Sequence, residues 1–250
     1  MAQSLSKNQI KLITSLKQKK YRLLHGFFVV EGIKTIRELL SSNIQLDTLY
    51  TTESFNNGAN PDIYKDEILI SETDLKRISF LTTPNKALAI FKIPKSKLID
   101  TNELIVALDD IRDPGNLGTI IRLCDWFGIK DLVCSNETVD CFNPKVVQAT
   151  MGSISRVNIT YVDLPSFLKE AEVPIFGTFM DGENVYNKSL SKNGVLVLGN
   201  EANGISKDIE GLIKEKIAIP RFGNIQATES LNVATATAIL LSEFRKKFVV

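Results

Sequence analysis

Residues Leu104 to Leu108 read Leu-Ile-Val-Ala-Leu, five apolar positions with no polar alternation. A strand with one wet face alternates apolar and polar residues. An unbroken apolar run is instead covered on both faces, as in a parallel sheet between layers of helices. The segments beyond Leu108 suit such a sheet. A helical pattern covers Asn116 to Phe127, with Leu117, Ile120, Ile121, Leu123 and Cys124 apolar. Short apolar runs then predict strands at Leu132–Cys134, Val157–Tyr161, Ile175–Phe179, Val195–Leu198 and Ile217–Ile219. Helical segments at Asn143–Met151, Pro165–Ala171 and Ser206–Lys214 lie between them. Strands alternating with helices predict a doubly wound α/β domain over 102–250.

The chain closes on a strand, a polar loop and a long helix. Ser230 is the expected N-cap, because its hydroxyl can accept an orphan N–H of the first turn. Ala234, Ala236 and Ala238 with Ile239, Leu240 and Leu241 spread small and apolar residues around this helix. Such a helix needs cover on several faces.

The first ninety or so residues alternate on a smaller scale. One amphipathic helix is expected over 4–24, with Leu5, Ile10, Ile13 and Leu16 inward. Strands are expected at Phe27–Val30, Leu46–Tyr50 and Ala87–Ile93, with helices at Ile33–Leu40 and Ser71–Ile78. Residues 56–61 (NNGANP) read as a loop. The polar stretch Pro94–Thr101 reads as a linker between a domain of 1–95 and one of 102–250.

Charge separates the same two regions. Residues 1–100 carry fifteen Lys and Arg against ten Asp and Glu, whereas 101–250 carry fifteen against nineteen. Residues 1–30 hold Lys7, Lys11, Lys17, Lys19, Lys20 and Arg22 and no acid, either a solvated helix face or a phosphate-facing patch. Cys124, Cys134 and Cys141 form no C-x-x-C pair, so neither a disulfide frame nor a zinc site is expected and a reducing cytoplasm fits. No apolar run reaches the length of a membrane span, and the polar N-terminus lacks a signal-peptide core. His25 is the only histidine and is expected at the surface or in a structural role. Trp126 and Cys124 are expected in the core, as are Phe27 and Phe28, for which stacking on an RNA base is the alternative.

Three strand-to-helix junctions are rich in small and polar residues: Asp109–Arg122 (DDIRDPGNLGTIIR), Leu198–Ser206 (LGNEANGIS) and the stretch from Ile219 to Val233. In open α/β sheets ligands sit at the carboxyl ends of the strands, so the three loops are expected to converge on one site. Gly115-Asn116-Leu117-Gly118 does not have the G-x-G-x-x-G spacing of a dinucleotide site, and no phosphate-loop lysine motif is present.

Within them Asp113–Arg122, Leu198–Gly204, and Ile219-Pro220 with Ser230–Val233, in this order, resemble the signature motifs of the SpoU (TrmH) ribose 2′-O-methyltransferases of the SPOUT superfamily. The segment Asn143–Gly152 (NPKVVQATMG) is similar to the family's stretch between its first two motifs. Phe27–Leu39 (FFVVEGIKTIREL) resembles a small RNA-substrate domain, related to a ribosomal-protein-like fold, found in many members. Arg221 stands where the family usually has Met, and the stretch from Gly223 to Ser230 is longer than in the common pattern.

The resemblance implies a C-terminal parallel-sheet domain tied in a trefoil knot, preceded by a small α/β RNA-binding domain. It implies transfer of a methyl group from S-adenosylmethionine to a ribose 2′-hydroxyl, with ribosomal RNA ahead of transfer RNA and no metal. By the same resemblance Gly199, Ile219 and Leu231, with Leu198 and Thr178, hold the cofactor. Arg122, Asn116, Glu201, Ser230 and Asn232 form the catalytic and substrate-positioning set, and a homodimer is built around the knot. A transfer RNA methyltransferase and a non-catalytic knotted RNA-binding or assembly factor are the alternatives.

Overall fold

The structure, a computed structural model, describes residues 2–52, 67–224 and 230–246. In chain order the elements are α1 (Lys7–Ser15), α2 (Lys19–His25), β1 (Phe27–Glu31), α3 (Ile33–Leu40), β2 (Leu46–Thr51), β3 (Glu67–Leu69), α4 (Glu72–Ile78) and β4 (Ala87–Lys92). They continue with β5 (Leu104–Leu108), α5 (Pro114–Trp126), β6 (Asp131–Ser135), α6 (Pro144–Thr150), β7 (Asn158–Val162) and α7 (Leu164–Glu170). The last are β8 (Ile175–Asn184), β9 (Gly194–Leu198), α8 (Lys207–Glu210), β10 (Glu215–Ala218) and α9 (Val233–Arg245). The expected loop at 56–61 lies outside the described residues. The chain divides into two compact units, Met1–Lys95 with Asp140–Ser155, and Ser96–Val139 with Arg156–Val250.

The first unit holds a four-stranded mixed sheet in the order β1-β4-β2-β3. Strand β4 runs antiparallel to β1 and β2, and β3 runs parallel to β2. One apolar cluster joins Val29, Leu88 and Ile90 to Ile13, Leu16, Leu75 and Ile78 of the helical segments. In β1 the residues alternate faces, and Phe28 meets Phe142, from the segment preceding α6, at 4.7 Å between ring centroids.

The single helix expected over 4–24 is two helices. Helix α1 opens with a capping box, Ser6 accepting from Gln9 N and Gln9 reaching back to Ser6 N. In its last turn the Thr14 and Ser15 hydroxyls donate to the carbonyls of Ile10 and Leu12. The break at Leu16–Gln18 leaves carbonyls without helical partners, and the Arg22 guanidinium takes two of them. Its Nη1 lies 2.8 Å from Leu16 O and 2.9 Å from Lys17 O, while Nε donates to Asp140. Arg22 is therefore buried and paired with Asp140, and it does not belong to the exposed basic face.

The second unit is a six-stranded parallel sheet in the order β10-β8-β9-β5-β6-β7. Every residue of the central strands β5 and β9 is buried. Leu164 and Leu168 of α7, Ile209 of α8 and nearby Ile213 cover one face. The linker residue Lys97 is fastened to β7, its N–H donating to Asn158 Oδ1 at 2.9 Å. Strand β8 runs on to Asn184, beyond the expected end at Phe179. Its ladder with β10 jumps from Gly177↔Lys216 to Glu183↔Ile217, so residues 178–182 bow out of register.

Helices α5 and α9 pack together. Helix α5 buries Leu117, Ile120, Ile121 and Cys124, a stripe at helical spacing. Trp126 falls off that stripe and is 84% exposed, contrary to the core position expected for it. At the C-terminal end of α5, Arg245 donates to the carbonyls of Phe127 and Gly128, satisfying groups that a helix end leaves orphaned. In α9, Val233, Ala234, Thr237, Leu240, Leu241 and Phe244 form one buried stripe, while Ala236, Ala238 and Ile239 remain partly exposed. The passage from β10 to α9, on which the expected knot turns, includes residues 225–229, which lie outside the described residues. Among the described residues no helix is long and apolar enough to cross a membrane.

Candidate active site

The three junctions leave the carboxyl ends of β5, β9 and β10, the edge of the sheet where ligands bind in this architecture. The first turns sharply after β5. Asp109 Oδ2 accepts the N–H of Ser206 at 2.7 Å, tying the first junction to the second. Asp110 adopts φ 56°, a left-handed backbone uncommon outside glycine. It is held there by Ser135, whose hydroxyl accepts its N–H, and by Asn200 Nδ2, which donates to its carbonyl at 2.7 Å. Arg112 lies alongside, its Nε donating to Asp110 Oδ1 at 2.8 Å. That hydrogen bond and the carboxylate charges nearby push the exposed Arg112 guanidinium above its ordinary value.

Helix α5 starts at Pro114, earlier than the sequence pattern indicated. Asp113 is its cap, accepting from Asn116 N at 2.8 Å, and Pro occupies the first helical position, where its missing N–H costs nothing.

The second junction is a tight loop. Asn200 and Gly204 exchange backbone hydrogen bonds at 2.9 Å each way, and Asn200 Oδ1 accepts from the N–H groups of Ala202 and Asn203. A Cβ on Gly199 would lie 2.2 Å from the Gly204 carbonyl carbon, so only glycine permits this closure. Gly204, at φ 68°, supplies the left-handed residue that lets the chain return.

Glu201 projects from this loop and accepts Asn116 Nδ2 at 2.9 Å. Asn116 Oδ1 in turn accepts Asn232 Nδ2 at 2.9 Å. Asn232 Oδ1 accepts the N–H groups of Ala234 and Thr235 at 3.0 and 3.2 Å. The direction of this relay is set by its ends. The amino end of α9 only donates and a carboxylate only accepts, so both amides between them are oriented. One residue from each of the three junctions takes part.

Asn232, not Ser230, caps α9; the helix starts after Asn232, beyond the reach of the Ser230 side chain as a cap. Ser230 is exposed beside the relay in sequence but makes no part of it. Arg122 lies on the exposed side of α5 and has no polar partner among the described residues. Leu198 is buried at the end of β9, and Thr178 is half-buried where β8 begins to bow outward. Ile219 is half-buried after β10 and Leu231 is 49% exposed, so both present apolar surface around the loops. Arg221 is exposed, with Nη2 4.0 Å from the sulfur of Met180 in the bowed part of β8. Among the described residues no cluster of His, Cys, Asp and Glu could hold a metal ion.

Sequence reasoning gave no role to Asp109, Asp113 or Asn200, the side chains that hold the junctions in place. Asp113 was detectable from Asp-Pro at a helix start. Asn200 could be suspected only as a turn-forming residue, since its bond to Asp110 spans ninety positions.

Comparison with known proteins gives a consistent assignment. Residues 103–242 match the model of the SpoU rRNA Methylase family, and 7–89 match an MRM3-like substrate binding domain. The chain is 28% identical to the 23S rRNA (guanosine(2553)-2′-O)-methyltransferase RlmP of Bacillus subtilis, over 96% of this chain and 97% of that one. A solved structure from Porphyromonas gingivalis, assigned to the TrmH family of RNA methyltransferases, superposes with a TM-score of 0.87 at 38% identity, covering 98% of this chain and 100% of the other. An AdoMet-bound rRNA methyltransferase from Sinorhizobium meliloti superposes at 0.85 with 29% identity, covering 100% and 98%. The family match spans more than half of the chain and includes all three junctions: the protein belongs to the SpoU rRNA methylase family.

Proposed function

We propose that this chain methylates a ribose 2′-hydroxyl of ribosomal RNA, using S-adenosylmethionine, at the site built around the Asn232–Asn116–Glu201 relay. The observation that carries this reading is the relay itself, which joins all three junctions through two hydrogen bonds of 2.9 Å. S-adenosylmethionine supplies the methyl group on a sulfonium, a strong electrophile that needs no metal to activate it. The Gly199 loop, with Leu198, Ile219, Leu231 and Thr178, holds it through backbone groups and apolar contact; the exposed apolar surface of Leu231 and the closed turn at Gly199 fit such a ligand.

The chain's own task is to place and deprotonate a poor nucleophile. Glu201 receives one amide hydrogen from Asn116, leaving carboxylate lone pairs free to accept the hydroxyl proton. Arg122 binds the phosphate beside the target ribose; its guanidinium stays charged and suits a phosphate better than it suits the role of base. Ser230 and Asn232, two residues apart ahead of α9, hold the ribose. In-line placement then supplies much of the rate.

The protein works as a homodimer through α5 and α9. Trp126, 84% exposed, lies one helical turn from Arg122 and on the same side of α5. A second copy covering Trp126 and the partly exposed Ala236, Ala238 and Ile239 would bring Arg122 to the interface. The first unit, 1–95 in the reading from sequence, binds the RNA, and the buried, unbridged cysteines accord with a reducing cytoplasm.

Three experiments test these points. Ribosomal RNA should accept methyl label in preference to transfer RNA, and the reverse order would redirect the substrate assignment. Light scattering should give twice the chain's 27.8 kDa. Mixing an Arg122→Ala subunit with a Gly199→Ala subunit restores activity if each site draws on both chains; a fully active monomer rules the dimer out as a requirement.

A further inference from the structure

Helix α2 has only seven residues, too few to hold itself in water, and no side chain caps its start. It is fastened from beneath by the buried Arg22, through the Leu16 and Lys17 carbonyls and Asp140. Most of its outward side is left uncovered. Leu23 is 67% exposed and Leu24 72%, and Lys19, Lys20 and His25 are exposed as well. Tyr21 and His25, one turn apart, stack with centroids 6.4 Å apart and planes 17° from parallel. Lys20 Nζ sits 4.8 Å from the Tyr21 ring centre. The pairs Lys20/Leu24 and Tyr21/His25 are each four residues apart and so lie along one strip. Lys17, exposed, precedes it, and residues 1–30 contain no acid to oppose a polyanion.

We propose that this strip of α2 is a docking platform for an unpaired RNA segment. Bases stack against the Tyr21–His25 rings and Leu24, while Lys17, Lys19 and Lys20 take the phosphates. The proposal rests on the reading of RNA as substrate and deepens it by naming the face and the strandedness. Paired RNA hides its base faces and would engage only the lysines, leaving the leucines and rings in water. Unpaired bases offer a flat apolar surface to cover them, and such stacking tolerates any sequence. The buried guanidinium gives the platform a fixed position before RNA arrives, so little ordering is left for binding to oppose.

The test uses the full chain and two fluorescent RNAs, one short and unpaired, the other a hairpin duplex of matching composition, read by anisotropy. The variant Leu24→Ser/His25→Ser changes two exposed side chains, and an unchanged melting temperature confirms its fold. It should bind the unpaired RNA about tenfold more weakly, within the range expected for one stacked base, and bind the duplex as before. Its salt dependence should match the parent's, whereas Lys19→Gln/Lys20→Gln should flatten the salt dependence. Ultraviolet cross-linking of the unpaired RNA should mark Tyr21, a readout that needs no variant. Equal loss on both RNAs, no loss on either, or a lower oligomeric mass in the Leu24→Ser/His25→Ser variant would overturn the platform and leave the substrate reading standing. If the parent protein binds neither RNA, the substrate reading falls and the platform with it.

Discussion

Replacing Asn232 with Asp separates the relay from the stability of the helix it caps. The aspartate oxygen still accepts the N–H groups of Ala234 and Thr235, and its charge suits the amino end of α9, so the fold should be unharmed. What is lost is the Nδ2 donor. Asn116 Oδ1 would then face a carboxylate, and its amide should turn to donate Nδ2 toward residue 232. Its carbonyl oxygen would then point at Glu201, where two acceptors cannot bond. The charge-assisted hydrogen bond at Glu201 is lost and another forms at position 232, so the loss falls on Glu201 and not on the cap. Such bonds contribute about 1.5–3 kcal/mol, and the exposure of Glu201 puts this one near the lower end. At about 1.4 kcal/mol per factor of ten, turnover should fall roughly tenfold. The assay is single-turnover transfer of labelled methyl to ribosomal RNA, with cofactor affinity and melting temperature measured beside it; both should change little. Combining Asn232→Asp with Glu201→Ala should cost little more than Glu201→Ala alone, since both act through one contact. Full turnover in Asn232→Asp, with Glu201→Ala inactive, would refute the relay.

Other outcomes depend on single contacts. Arg122→Ala should lower methyl transfer by at least about tenfold and leave cofactor affinity nearly unchanged in calorimetry; normal turnover would remove Arg122 from the site. Gly199→Ala forces the second junction open, because a methyl group cannot occupy space 2.2 Å from the Gly204 carbonyl carbon; calorimetry should show cofactor binding lost, and retained binding would refute the role of that closure. In the first unit, burial raises the Glu31 carboxyl, against hydrogen bonds from Ser79 Oγ at 2.5 Å and Phe80 N at 2.7 Å that pull it down. A carboxyl raised by folding favours the folded state fully below its unfolded value, and that contribution is lost as pH rises through the folded value. Urea titrations should therefore show stability declining as pH rises from the ordinary carboxylate value, with the slope flattened in Glu31→Gln; an unchanged slope would contradict the assignment.

The parts of the fold legible in the sequence are those governed by local pattern. The unbroken apolar runs at Leu104–Leu108 and Val195–Leu198 became the two central strands because nothing but burial on both faces suits them. Ser71 could be read as a cap, since its hydroxyl and the Asp74 N–H are neighbours in any helix starting there. Misreadings arose where distant partners decide. The break after Ser15 leaves carbonyls that a buried arginine satisfies, and nothing in the helical periodicity distinguishes Arg22 from the lysines around it. Ser230 and Asn232 are both good caps, and local chemistry does not choose between them. Asn232 is placed by Asn116, more than a hundred residues away. Trp126 carried the apolar character of a core residue but occupies a position off the buried stripe of α5, and composition alone does not distinguish the two positions. The candidate site was recognisable as three junctions; the direction of its hydrogen bonds was not, because that depends on which ends meet in space.

The central claim is a methyl group placed on a ribose oxygen of ribosomal RNA, and alkaline hydrolysis of the labelled product tests it most directly. Alkali cleaves RNA when a free 2′-oxygen attacks the neighbouring phosphate, so a methylated 2′-oxygen leaves one linkage intact. After incubation with methyl-labelled S-adenosylmethionine and unmodified ribosomal RNA, the label should appear in an alkali-resistant dinucleotide, and Arg122→Ala should yield almost none. Label found in ordinary mononucleotides, as from methylation of a base, or no label transferred by the folded protein, would contradict it.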